Sequence, residues 1–273
     1  MRRTRRLRPA APGCTVIALA IPFGLVIGLV VGTVGGGGAI LALPVLVYVL
    51  DQPVGPASTA SLIVVATAAA FGATARARDG RICWRLALAF SGAAAIGSLG
   101  GALAGAAVSA EALVLAFIPV MAVAAVATWQ RAATVGDEAE RPCPPLDLAR
   151  IAVAGLGVGG LTGFFGVGGG FVIVPVLTVW MGMGFQRSVA TSLVIITLTG
   201  TVALTVHLVA GARPDVGVTV TLAASTAVGA VVGSSIGGRL PQAVLGRVFA
   251  VVVASVAVLL LLDTLFRGGP PDA

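Results

Sequence analysis

The sequence predicts an all-α integral membrane protein: a polytopic helical bundle of two tandem homologous repeats with glycine-broken or re-entrant half-helices. Three observations predict it. Apolar runs of about twenty residues, the length that crosses a roughly 30 Å hydrocarbon core, recur from end to end. Charged residues make up 10% of the chain and hydrophobic ones 58%, with a mean hydropathy of +1.08, whereas soluble domains carry about 25% charged residues. Finally, residues 28–62 align with residues 159–193 at an offset of 131 without a gap, and ten of the 35 positions are identical. Those ten include Gly35, Gly37, Gly38 and Pro44, matched to Gly166, Gly168, Gly169 and Pro175. What the two copies share is an interruption in an apolar run.

Taken in order, residues 14–34 form the first apolar run, which four successive glycines, Gly35 to Gly38, then break. Each glycine costs about 1 kcal/mol relative to alanine inside a helix, so four together mark a built-in interruption. The N-terminal RRTRRLR followed by an apolar run imitates a secretory signal. The run is longer than a signal core and lacks a small-residue cleavage site, so it reads as the first membrane segment. Residues 39–50 would reach only about 18 Å as a helix, which makes them a half-helix or one arm of a re-entrant hairpin. A third run, 57–75, begins with Ser58-Thr59-Ala60-Ser61, and an arginine-rich loop follows with Arg76, Arg78, Arg81 and Arg85. Run 86–107 carries Gly97, Gly101 and Gly105 on one helical face, which invites close helix contact. Run 111–129 ends at Trp129.

Residues 130–148 are polar and join the halves, so the single membrane domain (1–273) divides into repeat one (about 14–129), a linker (about 130–148) and repeat two (about 149–266). The second half repeats the plan, with runs at about 149–166, 170–182, 189–210, 216–238 and 243–266. Gly229, Gly233 and Gly237 echo the first glycine stripe at an offset of 132.

The net charge of +7 comes from 17 arginines, five of them in the first eight residues. No basic stripe is interleaved with aromatics, so topology and anionic headgroups explain the charge and a nucleic-acid partner does not. With arginine loops on the cytoplasmic side, the N-terminus, the 76–85 loop and the 130–150 linker all belong inside, and residues 14–50 then make one net crossing. If 39–50 spans, the 76–85 loop lies outside. The same parity decides between parallel and inverted repeats, and both stay open at this point. Cys14, Cys83 and Cys143 have no CxxC spacing and leave one thiol over, so neither a disulfide framework nor a zinc site can be read from them.

Irregular backbone at membrane depth is tolerated only where protein covers it or water reaches it. Paired glycine-broken segments at matching places in two halves therefore point to a transporter's central site. A helix restarting after Gly38 or Gly170 presents unpaired N–H groups and a partial positive charge, which suits an anion without a buried arginine. The candidate site comprises Gly35, Gly36, Gly37, Gly38, Ala39 and Pro44 in the first copy. In the second it comprises Gly166, Gly168, Gly169, Gly170 and Pro175. Hydroxyls of Ser58, Thr59 and Ser61, and of Ser188, Thr191 and Ser192, could add neutral donors. The plainer readings are glycines serving close packing and hydroxyls bonded back to their own helices. His207 could carry a proton, but an interfacial, solvated imidazole is the better reading, because the aligned residue is Arg76 near a segment end.

All ten carboxylates fall at segment ends, in loops or in tails, which disfavours a carboxylate proton relay or sodium site. There is no HExxH and no intramembrane acid pair, and GFFGVGGG lacks the Lys-Ser/Thr ending of a phosphate loop. The residues therefore point away from an enzyme, and no cofactor or metal site can be read from them.

GTVGGGGAILALPVL at 32–46 and GFFGVGGGFVIVPVL at 163–177, followed by STASL and VATSL, resemble the duplicated signature of the TauE/SafE sulfite-exporter family of membrane permeases. The resemblance covers essentially the whole chain. It implies a multi-pass plasma-membrane transporter, bacterial in type, for small sulfur-containing or related organic anions such as sulfite, sulfonates or sulfoacetate. The expected partners are thus a small anion and the lipid bilayer; a coupling ion and a homo-oligomer are compatible with the sequence and unspecified by it. Access would alternate as one repeat shifts against the other. The alternative is a passive small-anion channel with the same filter, and a third reading is a membrane subunit that only scaffolds a partner.

Overall fold

A computed structural model describes residues 14–50, 52–105, 107–108, 110–134, 143–165, 170–209, 211 and 214–267. Every regular element among them is helical, as lipid demands of backbone that must satisfy its own hydrogen bonds. The long helices are α1 (Cys14–Val34), α3 (Val54–Ala77), α4 (Trp84–Gly105), α5 (Ala110–Thr134), α6 (Leu148–Phe165), α8 (Phe185–Val209), α9 (Val216–Gly237) and α10 (Gln242–Arg267). Between α1 and α3 lie a 3₁₀ turn (Gly36–Gly38), the short α2 (Ala39–Pro44) and a π turn (Val45–Val49). Between α6 and α8 lie α7 (Gly170–Pro175) and a second π turn (Val176–Trp180). Among the described residues seven helices have the length and composition to cross a membrane, with Leu19–Val34 and Gly170–Trp180 as shorter apolar helices. The expected runs and the observed helices agree to within a few residues.

The two proline-ended segments share one geometry. Pro44 and Pro175 close α2 and α7, and a proline supplies no N–H to the carbonyl four residues back. The ladder then loosens to π spacing: Leu50 N donates to Val45 O at 3.0 Å and Met181 N to Val176 O at 3.1 Å. The exit matches too, with Gln52 N on Leu46 O at 3.0 Å and Met183 N on Leu177 O at 3.1 Å.

Helix directions follow from the glycine stripes. On α1, Gly28 lies against Thr226 and Gly32 against Ala230, while Gly229, Gly233 and Gly237 of α9 lie against Leu25, Leu29 and Thr33. Residue numbers rise together, so α1 and α9 are parallel. Gly97, Gly101 and Gly105 of α4 meet Leu156, Gly160 and Phe164 of α6 in the same rising order, so α4 and α6 are parallel as well. In all these places backbone meets backbone, the close contact that small residues permit. Ser234 Oγ on α9 donates to Gly32 O at 3.4 Å and Gly72 O at 3.3 Å. At the far end Ala20, Ala57 and Leu222 share one core cluster. Helix α3 therefore runs parallel to α1 and α9.

For α1 and α3 to be parallel, residues 36–50 must bring the chain back, and Leu46 and Leu50 do reach the cluster of Ala20 and Ala57. Of the two readings left open, these contacts favour the one in which residues 14–50 make no net crossing: the start of α1 and the arginine loop lie at opposite ends of the bundle. In contrast, α3 and α8 are antiparallel, with Thr59 beside His207, Ala66 beside Gly200 and Gly72 beside Leu193.

The loop end is tied together by polar contacts. Arg81 Nη1 donates to Gly238 O at 3.2 Å, Gln186 Nε2 to Leu240 O at 2.8 Å, and Phe185 N to Gln242 Oε1 at 2.9 Å. A disulfide between Cys83 and Cys143, their Cα atoms 5.9 Å apart, fixes the linker to the same end. The reading that no disulfide could be drawn is therefore overturned: 60 residues separate the two cysteines in sequence, and the fold places the start of α4 beside the linker.

Candidate functional site

Gly36, in the first glycine interruption, meets Gly170, the last glycine of the second, inside the bundle. Gly35 N still closes the last turn of α1 on Val31 O at 2.8 Å. Gly35 then takes φ +80°, a left-handed conformation that side chains resist, and the chain turns into Gly36–Gly38. A Cβ on Gly36 would overlap the carbonyl of Gly170, and one on Gly170 would stand 3.0 Å from the Gly36 Cα. The first residue of α7 is therefore in backbone contact with the first glycine of the 3₁₀ turn. A Cβ on Gly35 would lie 2.8 Å from Ser192 Oγ, so α8 lines the same meeting point.

Of the other expected residues, those of 37–39 continue from this point, whereas Thr59 lies away from it beside His207. Gly37 and Gly38 complete the 3₁₀ turn, and Ala39 opens α2. Pro44 and Pro175 end the short helices and start their π turns. Gly166, Gly168 and Gly169 lie outside the described residues. Thr59, Thr191 and Ser192 are fully buried. Ser192 Oγ donates to Val189 O at 2.9 Å and Ser61 Oγ to Ser58 O at 2.7 Å, the back-bonding usual for helix hydroxyls. The threonines reach further: Thr191 Oγ1 accepts from Cys83 N at 3.2 Å, and Thr59 Oγ1 lies 3.2 Å from His207 Nδ1. Because α3 and α8 are antiparallel, the two hydroxyl groups sit at opposite ends of that pair instead of side by side. His207 is half-buried and held by a candidate site residue, so it is not a merely solvated side chain.

One feature escaped the sequence reading. Arg76, grouped there with a solvated arginine loop, is fully buried. Its Nη2 donates to Gly32 O at 3.2 Å and Thr33 O at 3.4 Å, the carbonyls at the end of α1 beside the first break. Its Nε and Nη1 are buried without a hydrogen-bond partner among the described residues. The expectation that no side-chain charge is buried beside the break therefore does not hold. Ser188 Oγ, an expected donor one turn before Ser192 on α8, is fully buried and has no partner among the described residues. The signal that could have found Arg76 is its place one residue past an uninterrupted apolar run, separated from Arg78 by Ala77.

The clearest hollow near the second break, about 440 Å³ between α5, α6 and the Val172–Trp180 segment, is lined by apolar side chains and opens past the exposed Val123 and Trp180. It offers nothing to a charged group.

The profile of the sulfite exporter TauE/SafE family matches residues 20–260. A probable membrane transporter protein of Xylella fastidiosa strain 9a5c is 29% identical over 250 residues, 89% of this chain and 94% of its own length. Its counterpart in strain Temecula1 is 30% identical over 251 residues with the same coverage. The probable membrane transporter protein YdhB of Bacillus subtilis is 26% identical over 171 residues, 62% of this chain and 70% of its own. No solved structure matches the chain. A helical bundle with seven spanning-length apolar helices among its described residues and a family match across nearly its whole length is a multi-pass membrane transporter, and the chain belongs to the sulfite exporter TauE/SafE family.

Proposed function

We infer that this protein is a secondary transporter for small sulfur-containing or related organic anions of the sulfite, sulfonate or sulfoacetate type, with the anion held where the two helix breaks meet. The observation that carries this reading is the backbone contact of Gly36 with Gly170. It brings two helix starts to one place, and the first N–H groups of a helix have no acceptor within it. Those groups carry partial positive charge and sit where water is scarce, which favours an anion.

Residues 14–129 and 149–266 are read as inverted repeats, because their central helices α3 and α8 run antiparallel. Each half lends a helix to the other, α1 to α9 and α6 to α4. Alternating access would accordingly move these swapped pairs past α3 and α8, not one half of the sequence past the other.

Purified protein in detergent, heated with sulfite, thiosulfate, sulfoacetate or taurine, is expected to melt higher with its own substrate, by an amount that grows with ligand concentration. Proteoliposomes should then accumulate that anion against its gradient when a proton or sodium gradient is imposed. Downhill flux alone would make the protein a channel, and no flux and no stabilisation would remove the anion reading.

A further inference from the structure

We propose that Arg76 is a substrate-binding residue: its buried guanidinium forms a charged station for an oxyanion beside the first helix break. This rests on the anion reading above and adds the group that recognises the charge.

The argument starts from what a buried cation requires. A guanidinium taken out of water is stable only when its charge and its five N–H donors are answered. At Arg76 the answer is partial. Nη2 reaches the Gly32 and Thr33 carbonyls, which carry the negative end of the α1 dipole. Nε and Nη1 have no acceptor among the described residues, although Arg76 has no exposed surface. Asp79, one turn on, is exposed, and among the described residues no carboxylate is hydrogen-bonded to Arg76. A residue serving only to cap α1 would need one nitrogen. The others wait for an acceptor.

Position supplies the second observation. Thr33, which Arg76 holds, is two residues before Gly35, and Gly35 lies against Ser192. One turn before Ser192 is Ser188, whose hydroxyl is also buried and unpartnered. The end of α1 thus carries a guanidinium with unanswered donors, and α8, which Gly35 meets at Ser192, carries a buried hydroxyl one turn before that contact. The chemistry that answers them is an anion with several acceptor oxygens. A sulfite- or sulfonate-type head has three, and planar guanidinium donors bind such groups with charge-assisted hydrogen bonds.

The test compares wild type, Arg76→Gln, Arg76→Lys and Arg78→Gln in proteoliposomes, reading KM and maximal rate for radiolabelled sulfite, thiosulfate, sulfoacetate and taurine. Arg76→Gln should raise KM for the transported anion by about ten- to a hundredfold, and Arg76→Lys, which keeps the charge but loses the planar donors, by an intermediate factor. The exposed Arg78 should leave KM unchanged. A wild-type KM in Arg76→Gln, with or without a lowered melting temperature, would assign Arg76 to capping alone and overturn the proposal. If Arg76→Gln does not fold, an unchanged KM in Arg76→Lys overturns it equally. Failure of the wild type to move any of the four anions would instead sink the anion reading, and this proposal with it.

Discussion

Gly36 has no room for a methyl group: the space a Cβ would fill is occupied by the Gly170 carbonyl. Gly36→Ala must therefore push the two interruptions apart. Because the contact lies at the proposed binding point, we expect transport to fall at least about tenfold while the protein still inserts, since a shift near 1 Å at a reacting or binding centre can cost that much or more. Flux in proteoliposomes, set against the amount of inserted protein, measures it. The glycine run was legible because four successive glycines cannot sustain a helix through an apolar segment. Arg76 was not, because arginines 76, 78, 81 and 85 look alike along the sequence. Only packing distinguishes them: Gly237 of α9 comes up against the Arg76 Nη2, where a larger residue would collide with it. The bond between Thr59 and His207 was hidden for a related reason, as 148 residues separate them.

At the level of helices, the glycine stripes set the closest contacts. Gly97, Gly101 and Gly105 were legible as a contact face from their spacing, though not which helix they would meet. A Cβ on Gly101 would overlap the Gly160 carbonyl of α6, so Gly101→Val should destabilise the protein by about 1–3 kcal/mol through overpacking. The readout is a lowered melting temperature in detergent, with KM for the substrate unchanged in whatever protein remains folded. The segment 39–50 was legible as a short helix, though not as an arm that brings the chain back. The π turns after Pro44 and Pro175 were not legible, because a proline in an apolar run announces a lost hydrogen bond without saying how the ladder recovers.

For the whole molecule, hydropathy gave the number and lengths of the helical runs but carried no direction, so the parity of crossings stayed open until the parallel and antiparallel contacts decided it. The start of α1 and the Arg78–Cys83 loop now lie at opposite ends. Single cysteines at Val216→Cys and Arg78→Cys, in a background lacking the native cysteines, should therefore react with a membrane-impermeant maleimide from opposite faces of sealed vesicles; labelling of both from one face would refute the parallel packing of α3 and α9. The swapped packing has a consequence for how the chain is made. The glycine face of α1 finds its partner only when α9 arrives: Gly32 and Ser234, which bond to each other, are 202 positions apart. At synthesis rates of ~5–20 residues per second, the first helix waits about 10–40 s in the bilayer with its narrowest face turned to lipid. Newborn chains are thus most exposed to quality-control proteases and to pairing with a neighbouring copy during that interval, before ribosomes release them.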